Sequence, residues 1–337
     1  MNRAKKIGCA VIAGVLALGL AACGQGQGAK GETLDFSSVE VSELRVDEAP
    51  RTSLRGLAAS TDGKCLYGGY IKGEPRGVHK LDAETGEEIW YYQDKGYTQP
   101  GFCKGVAADD RGDVYGGVTI WEQLDEAQLA VVSDETGEEI SLTPIRVSGK
   151  VGTNGVAVRK DGDRYLLYLI TNYDVNRIYC YDVTDVNTPV PNEEFGAGGF
   201  IELSGLTGGS AEATCIAFAE DGSFYLTANL GGGNKGDTVL HVAADGKKVL
   251  GQAALGEAYG LTLHGTYVFV STYLDGTSAV HVLERDGLKE IAQVGNLPDC
   301  TQYAGVAFAN GRLYIADQTY QEGSRILVSN VIPEAGK

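Results

Sequence analysis

Along most of this chain, apolar and polar residues alternate with a period of two, in short runs separated by Gly-bearing turns. The stretch "TNGVAVRKDGDRYLLYLITN", Thr153 to Asn172, shows the unit: a small apolar strand, an Asp-Gly turn, then an aromatic-rich strand. Alternation of this kind predicts half-buried β-strands, and the Asp-Gly pair predicts the hairpin that joins them. The unit recurs from Arg55, Lys104, Thr214, Tyr259 and Ala304. Its equivalent apolar positions are Leu57, Val106, Val156, Ile216, Leu261 and Val306, spaced 49, 50, 60, 45 and 45 residues apart. A third strand ("GVHKLDA", "NRIYCYDV", "TVLHVAA") and a short fourth ("EEIWYY", "KKVLGQA") follow each Gly turn. No segment carries a sustained helical period.

Six four-stranded antiparallel sheets at this repeat length predict an all-β fold, a six-bladed β-propeller. The long third interval predicts an inserted loop over 187–211, rich in Pro and Gly. The sixth unit has only three strands, near 303–309, 311–317 and 324–330. A surplus strand stands at the other end, "SVEVSELRV", residues 38–46. Pairing of the two termini would complete the last blade and remove an open edge. The propeller is therefore expected over 38–337.

The first 22 residues carry a different pattern. Arg3, Lys5 and Lys6 precede an apolar run from Ile7 to Leu20, too short to span a bilayer but of signal-peptide length. The run ends in Leu20-Ala21-Ala22-Cys23, which resembles the lipobox of bacterial lipoproteins. That resemblance implies cleavage before Cys23, lipidation of Cys23, export, and anchoring to the bacterial membrane with the propeller outside the cytoplasm. Residues 23–37 read as the lipidated Cys and a Gly/Gln-rich flexible tether. The tether contains a literal G-x-G-x-x-G, Gly26 to Gly31, with no strand before it and no helix after it, so it does not read as a dinucleotide site.

Charge narrows the partners. The chain has 28 basic and 45 acidic residues, a net charge of −17, and loss of residues 1–22 takes it to −20. Such a surface repels nucleic acid. Besides Cys23, the expected mature chain has Cys65, Cys103, Cys180, Cys215 and Cys300, an odd number without C-x-x-C. One or two disulfides are open to an exported protein, but runs such as "YCYDV" favour small buried thiols.

Candidate chemistry collects at one mouth of the expected ring. The residues before the first strands are Arg55, Lys104, Asn154, Thr214, Tyr259 and Ala304; the loops after the second strands add Tyr70, Trp121, Tyr173, Tyr273 and Tyr320. Loops from the preceding units add Tyr97, Phe102 and Tyr303. Two bases on an acidic protein, among aromatic faces, suit binding of a small molecule or an envelope protein. The opposing expectation for tyrosines is packing between blades, which fits mid-strand Tyr67, Tyr115, Tyr168, Tyr225 and Tyr314. His79, His241 and His281 occupy one equivalent place in three separate units and His264 a turn on the opposite face, so no His base is expected at the mouth.

The stretch "TNGVAVRKDGDRYLLYLITNYDVNRIYCYD" resembles a blade of the gluconolactonase/senescence-marker-protein family, and "AGVAFANGRLYIADQTYQEGSRILV" is similar to blades of the NHL propellers. The first resemblance implies a divalent cation, Ca²⁺, held by a Glu, an Asn and an Asp at inner-strand starts. Asn154 matches the Asn. Where the Glu and Asp belong, this chain has Ser53-Leu54-Arg55 and Ala213-Thr214-Cys215, although Glu212 and Glu257 lie nearby. The expectation is a monomeric, non-catalytic binding module without a cofactor. A lactonase-like metal-dependent hydrolase with a divergent site is the alternative, and a scaffold acting through outer loops such as 187–211 is the third.

Overall fold

A computed structural model describes residues 33–47, 52–94, 101–231, 236–274, 277–320 and 323–334. Cys23, the expected signal and most of the tether lie outside them, as do Tyr97 and the side chain of Tyr320.

The described strands build five antiparallel sheets. After β1 (Val41–Asp47), the first sheet runs in chain order through β2 (Thr52–Ala59), β3 (Cys65–Lys72), β4 (Gly77–Asp82) and β5 (Glu88–Tyr92). The second is β6 (Phe102–Ala108), β7 (Asp113–Thr119), β8 (Glu126–Ser133) and β9 (Glu139–Arg146). The third has β10 (Val151–Asp161), β11 (Arg164–Tyr173) and β12 (Arg177–Asp182), edged by β13 (Val190–Pro191) and β14 (Phe200–Glu202); α1 (Leu203–Thr207) follows. Seven strands form the fourth: β15 (Glu212–Phe218), β16 (Phe224–Asn229), β17 (Gly236–Val242), β18 (Val249–His264), β19 (Tyr267–Thr272), β20 (Val280–Glu284) and β21 (Glu290–Val294). The last joins β22 (Tyr303–Ala309), β23 (Arg312–Tyr320) and β24 (Gly323–Ser329) to β1.

The hairpins form where the sequence pattern places them. Each turn between the first two strands of a repeat holds a glycine in the left-handed region, as at Gly63 (φ 70°) and Gly222 (φ 82°), which costs a glycine little and an L side chain much. Strand β18 departs from the expectation of two separate strands. Its first part, Val249–Ala254, pairs with β17, and its last, Leu261–His264, pairs with β19. One continuous backbone thus serves two repeats. The expected loop at 187–211 also does more than connect. Its two short strands both pair with β12, β13 at Tyr181 and Asp182 and β14 at Arg177 to Tyr179, so the insertion supplies that sheet's outer edge in two pieces. Gly199 between them holds φ 74°.

Terminal pairing is observed. Strand β1 runs antiparallel to β24, from Val41 opposite Ser329 to Asp47 opposite Ser324. Packing starts earlier than the expected boundary at 38. Leu34 bridges Glu334 and is buried, and Phe36 meets the rings of Tyr267 and Phe269 edge-on. The aromatic character of Phe36 outweighs the Gly-rich composition before it.

The apolar core lies between neighbouring sheets. One cluster joins Leu166 and Tyr168 of the third sheet to Phe224 and Leu226 of the fourth, and another joins Leu54 and Leu66 of the first to Tyr314 and Ile326 of the last. The mid-strand tyrosines Tyr67, Tyr115, Tyr168, Tyr225 and Tyr314 are all buried there, as expected. Their hydroxyls find partners: Tyr67 donates to Asp134 and Tyr115 to Asp109, which is how a buried phenol is satisfied. At the centre, β2 packs on β6, β6 on β10, β10 on β15, β15 on β18, β18 on β22, and β22 returns to β2. All five described cysteines, Cys65, Cys103, Cys180, Cys215 and Cys300, are free thiols.

Candidate ligand-binding mouth

Every strand of that central ring carries the same irregularity. Register slips between Leu54 and Gly56, Cys103 and Val106, Thr153 and Val156, Ala213 and Cys215, Ala258 and Leu261, and Tyr303 and Val306. A bulge inserts one residue and re-aims its side chain. The residues at the bulges are Arg55-Gly56, Lys104-Gly105, Asn154-Gly155, Thr214-Cys215, Tyr259-Gly260 and Ala304-Gly305. The second member faces the next strand's backbone at close range: a Cβ on Gly105 would sit 2.1 Å from the Asn154 carbonyl oxygen, and one on Gly260 2.1 Å from that of Ala304. Only Cys215 departs from glycine, and its thiol contacts the Leu261 carbonyl oxygen at 3.6 Å.

The first members of several pairs converge. A cavity of about 330 Å³ opens between Arg55, Lys104, Asn154, Tyr173, Tyr259 and Trp121, with Phe102, Ile71 and the exposed Lys72 completing its wall. Arg55 Nη1 donates to the Tyr259 hydroxyl at 2.7 Å, and the guanidinium lies 5.1 Å from the ring centres of both Tyr259 and Tyr273. Those two rings stack, with centroids 5.2 Å apart. Gln318 donates to the Tyr273 hydroxyl at 2.7 Å, fixing it from behind. Trp121 is half exposed and leans on Phe102, centroids 5.2 Å apart.

Lys104 is held by neutral groups. Its Nζ donates to Asn154 Oδ1 at 3.1 Å and sits 5.4 Å from the Tyr173 ring centre. With the Asn172 amide turned so that its nitrogen donates to the Gly152 carbonyl, the Asn172 oxygen accepts from Lys104 Nζ at 3.3 Å. Neither Arg55 nor Lys104 forms an ion pair among the described residues. Burial, reinforced by the Arg55 charge and opposed by Glu212, brings the Lys104 pKa down to about 8. Burial also works against the charge of Arg55, but Tyr259 and Tyr273 outweigh it and raise the guanidinium pKa. Arg55 Nε is buried without a hydrogen-bond partner.

Glu212, at the start of β15, belongs to this field. Burial raises its pKa, the Lys104 charge opposes the rise, and its Oε2 is buried without a partner. A repeated Glu-Ala two positions before the bulge, Glu212-Ala213 and Glu257-Ala258, is the sequence signal for it. Backbone strain concentrates here as well. Five described non-glycine residues have positive φ; Ser53 (64°) and Glu257 (59°) stand two positions before Arg55 and Tyr259, and Tyr173 (72°) lines the cavity.

Other expected mouth residues lie elsewhere. Tyr70 is fully buried between sheets, its hydroxyl donating to Asp47 of β1 and its ring 4.5 Å from that of His79. Thr214 is buried, and its hydroxyl bonds the Thr227 hydroxyl and the Tyr259 carbonyl, both at 2.8 Å, tying β15 to β18. Tyr303 is in the core, donating to the Gly295 carbonyl. Tyr273 stands behind Tyr259 rather than in the cavity wall. The histidines are spread apart: His79 bonds Glu88, His241 stacks on Tyr225, and His264 stacks on Phe308.

The residues do not fit the cation that the gluconolactonase resemblance implies. Asn154 Oδ1, the expected ligand atom, accepts from an ammonium, and Asn154 Nδ2 donates to the Ala213 carbonyl at 2.7 Å. A hard cation would be placed against Lys104 and Arg55. Among the described residues, no three of His, Cys, Asp and Glu gather in a metal-binding group.

No protein-family model and no curated protein matches the sequence. Solved structures do. The PQQ-bound form of aldose sugar dehydrogenase from Streptomyces coelicolor matches at a TM-score of 0.56 and 14% identity, over 87% of this chain and 98% of that one. The fold is a β-propeller. BamB from Moraxella catarrhalis matches at 14% identity and a TM-score of 0.45, over 88% of this chain and 100% of that one. The WD40 β-propeller domain of Doa1 matches at 11% and 0.49, over 87% and 97%. At these identities the likeness is one of propeller architecture, and the chemistry must be argued from this propeller's own mouth.

Proposed function

We propose that the chain is a lipid-anchored envelope protein whose six-bladed propeller binds a ligand at its mouth without transforming it. In this reading the seven-stranded sheet is two blades sharing β18, and β1 completes the sixth. Cys23 would carry the lipid, the anchor would hold the protein at the outer face of the membrane, and the propeller would act as a monomer that avoids nucleic acid.

One observation carries the proposal: Arg55 and Lys104, on adjacent inner strands, are aimed into one aromatic-walled cavity with no carboxylate paired to either. Burying like charges together costs folding free energy. A fold that keeps this arrangement, with left-handed residues beside it, has the character of a binding site. The neutral groups around Lys104 leave its charge uncancelled, so an incoming anion meets a field of the right sign on a protein that is otherwise acidic.

The alternative, a metal-dependent lactone hydrolase, keeps one supporting feature, the unpartnered buried Oε2 of Glu212. It also needs a cation beside Asn154, which the Lys104 contact opposes. Titration of the purified chain with Ca²⁺ and with a panel of small anions, read by thermal melting, separates the two. Stabilisation by anions that is lost in Arg55→Met supports the binding module. Saturable stabilisation by Ca²⁺ that is lost in Asn154→Ala would overturn it in favour of the hydrolase.

A further inference from the structure

The shape and charge of the cavity narrow what it takes. Its volume, about 330 Å³, is at the lower end of the range for small-molecule sites, roughly 300–1,000 Å³. A protein partner buries a surface of many hundreds of Å² and would meet only the rim here. The charges lining the cavity are Arg55 and Lys104, with Lys72 exposed at the edge; Glu212 is not in the wall but acts on Lys104 from nearby. The rings divide into two groups. Tyr259 and Tyr273 are engaged with the Arg55 guanidinium, whereas Trp121 and Phe102 form a tilted apolar wall with no charged group over it among the described contacts. Trp121 is half exposed, a large apolar face left open beside two partly buried cations.

Resting on the mouth being a binding site, we propose that its ligand is a small monocarboxylate carried on a planar ring. The carboxylate lies between Arg55 and Lys104, and the ring lies against Trp121 and Phe102. A carboxylate has acceptor lone pairs for both cations at once. It replaces the Asn154 and Asn172 oxygens, neutral acceptors, with a charge-assisted one. The planar ring gains the stacking face that nothing in the described chain covers. A dianion is disfavoured by Glu212, and a ligand with charge but no ring forgoes the apolar wall.

The test uses the purified chain, the fluorescence of Trp121, and calorimetry, with benzoate as probe, acetate lacking the ring, benzamide lacking the charge and phenyl phosphate carrying more of it. Trp121→Phe identifies the signal, since Trp90 is the other tryptophan. Benzoate is expected to saturate with a Kd of about 1 mM or tighter. Acetate and benzamide should each bind at least about tenfold more weakly, and Arg55→Lys and Lys104→Met should each weaken benzoate about tenfold or more. Arg55→Lys keeps the charge, so folding is preserved while the planar fork is lost. Benzamide equal to benzoate, or benzoate binding indifferent to both variants, overturns the carboxylate assignment. If acetate or phenyl phosphate binds more tightly than benzoate, and through Arg55, the mouth is still a binding site and only the ligand class is wrong. If no probe binds to the folded chain, the ligand class fails. If the anion panel of the preceding section also leaves the melting temperature unchanged, the reading of the mouth fails with it.

Discussion

Arg325 Nη1 lies 3.0 Å from Glu43 Oε1, a contact between the last strand of the propeller and the first, 282 positions apart in the chain. The same guanidinium reaches Asp317 at 2.9 Å through Nε and the Asp299 carboxylate at 3.1 Å. Arg325 and Asp317 are both out of solvent, with side-chain exposures of 1% and 0%. Burial opposes the charge of Arg325, and the Asp299 and Asp317 carboxylates more than restore it, raising its pKa. This cluster sits where the two termini meet, so it fastens the seam of the ring.

Arg325→Met is therefore expected to destabilise the chain by about 3–5 kcal/mol, because it removes the cationic partner of the buried Asp317 carboxylate, leaving it to the Thr301 and Gln302 hydrogen bonds. Glu43→Ala removes a partner whose side chain is 46% exposed, and should cost under about 1 kcal/mol. Urea unfolding of the two variants checks the asymmetry; equal losses would mean that the seam depends on the terminal contact rather than on Asp317.

The glycines at the bulges set how closely the inner strands approach. Gly105→Ala and Gly260→Ala each push a Cβ to 2.1 Å from a backbone carbonyl oxygen, which no rotamer change relieves. Each should cost about 3 kcal/mol or more. Gly205→Ala, in α1 with nothing within 4 Å of the added atom, should change stability by less than about 1 kcal/mol. Thermal melting distinguishes the positions.

Lys104 links stability to pH in a known direction. Its pKa is about 8 in the fold against an ordinary 10.5. Between those values the unfolded chain binds more protons, so stability rises with pH across that window. Below about pH 8 the penalty is fully present, on the order of 3 kcal/mol at most. The stability of Lys104→Met relative to the parent should thus be most favourable near pH 7 and become less so by pH 10.5. Titrating tyrosines affect both chains alike and cancel in the difference. A gap that is flat with pH would show that Lys104 is not desolvated in the fold.

Leu34 and Phe36 belong to the packed body. The Leu34 N–H donates to the Tyr267 hydroxyl at 3.0 Å, and Phe36 covers Tyr267 and Phe269. A chain beginning at residue 38 should be about 2–4 kcal/mol less stable than one beginning at 33, the loss expected for two apolar side chains. Denaturant midpoints of the two chains decide it.

The repeats, the hairpin turns and the terminal pairing of the propeller are all legible in the amino-acid sequence, because each rests on local signals. Period-two alternation sets the faces of a strand, and a glycine at positive φ sets its turn, whatever the surroundings. The continuous β18 was not legible. Gly251 and Gly256 stand in this run and could each mark a turn, so whether it ends a sheet or crosses to the next depends on the distance between two sheets.

The mouth shows the same division. Arg55, Lys104, Asn154 and Tyr259 at the first strands, and Trp121 and Tyr173 after the second strands, could be named from repeat position alone, and the structure brings these six to one cavity. Tyr70 and Tyr173 both read as residues of a loop after a second strand, yet Tyr70 pairs opposite Leu54 and turns into the core toward Asp47, while Tyr173 pairs opposite Val151 at the end of its strand, takes φ 72° and lies under Lys104. The sequence pattern does not show this two-residue offset, and the neighbour that holds Tyr70 comes from β1, the strand contributed by the other end of the propeller. The amino-acid sequence by itself determined the strands, their faces, their turns and the acidic surface. Tertiary structure alone decided which side chains meet, since a bulge re-aims a residue by the fit of one strand against the next, and that fit is a property of the closed ring.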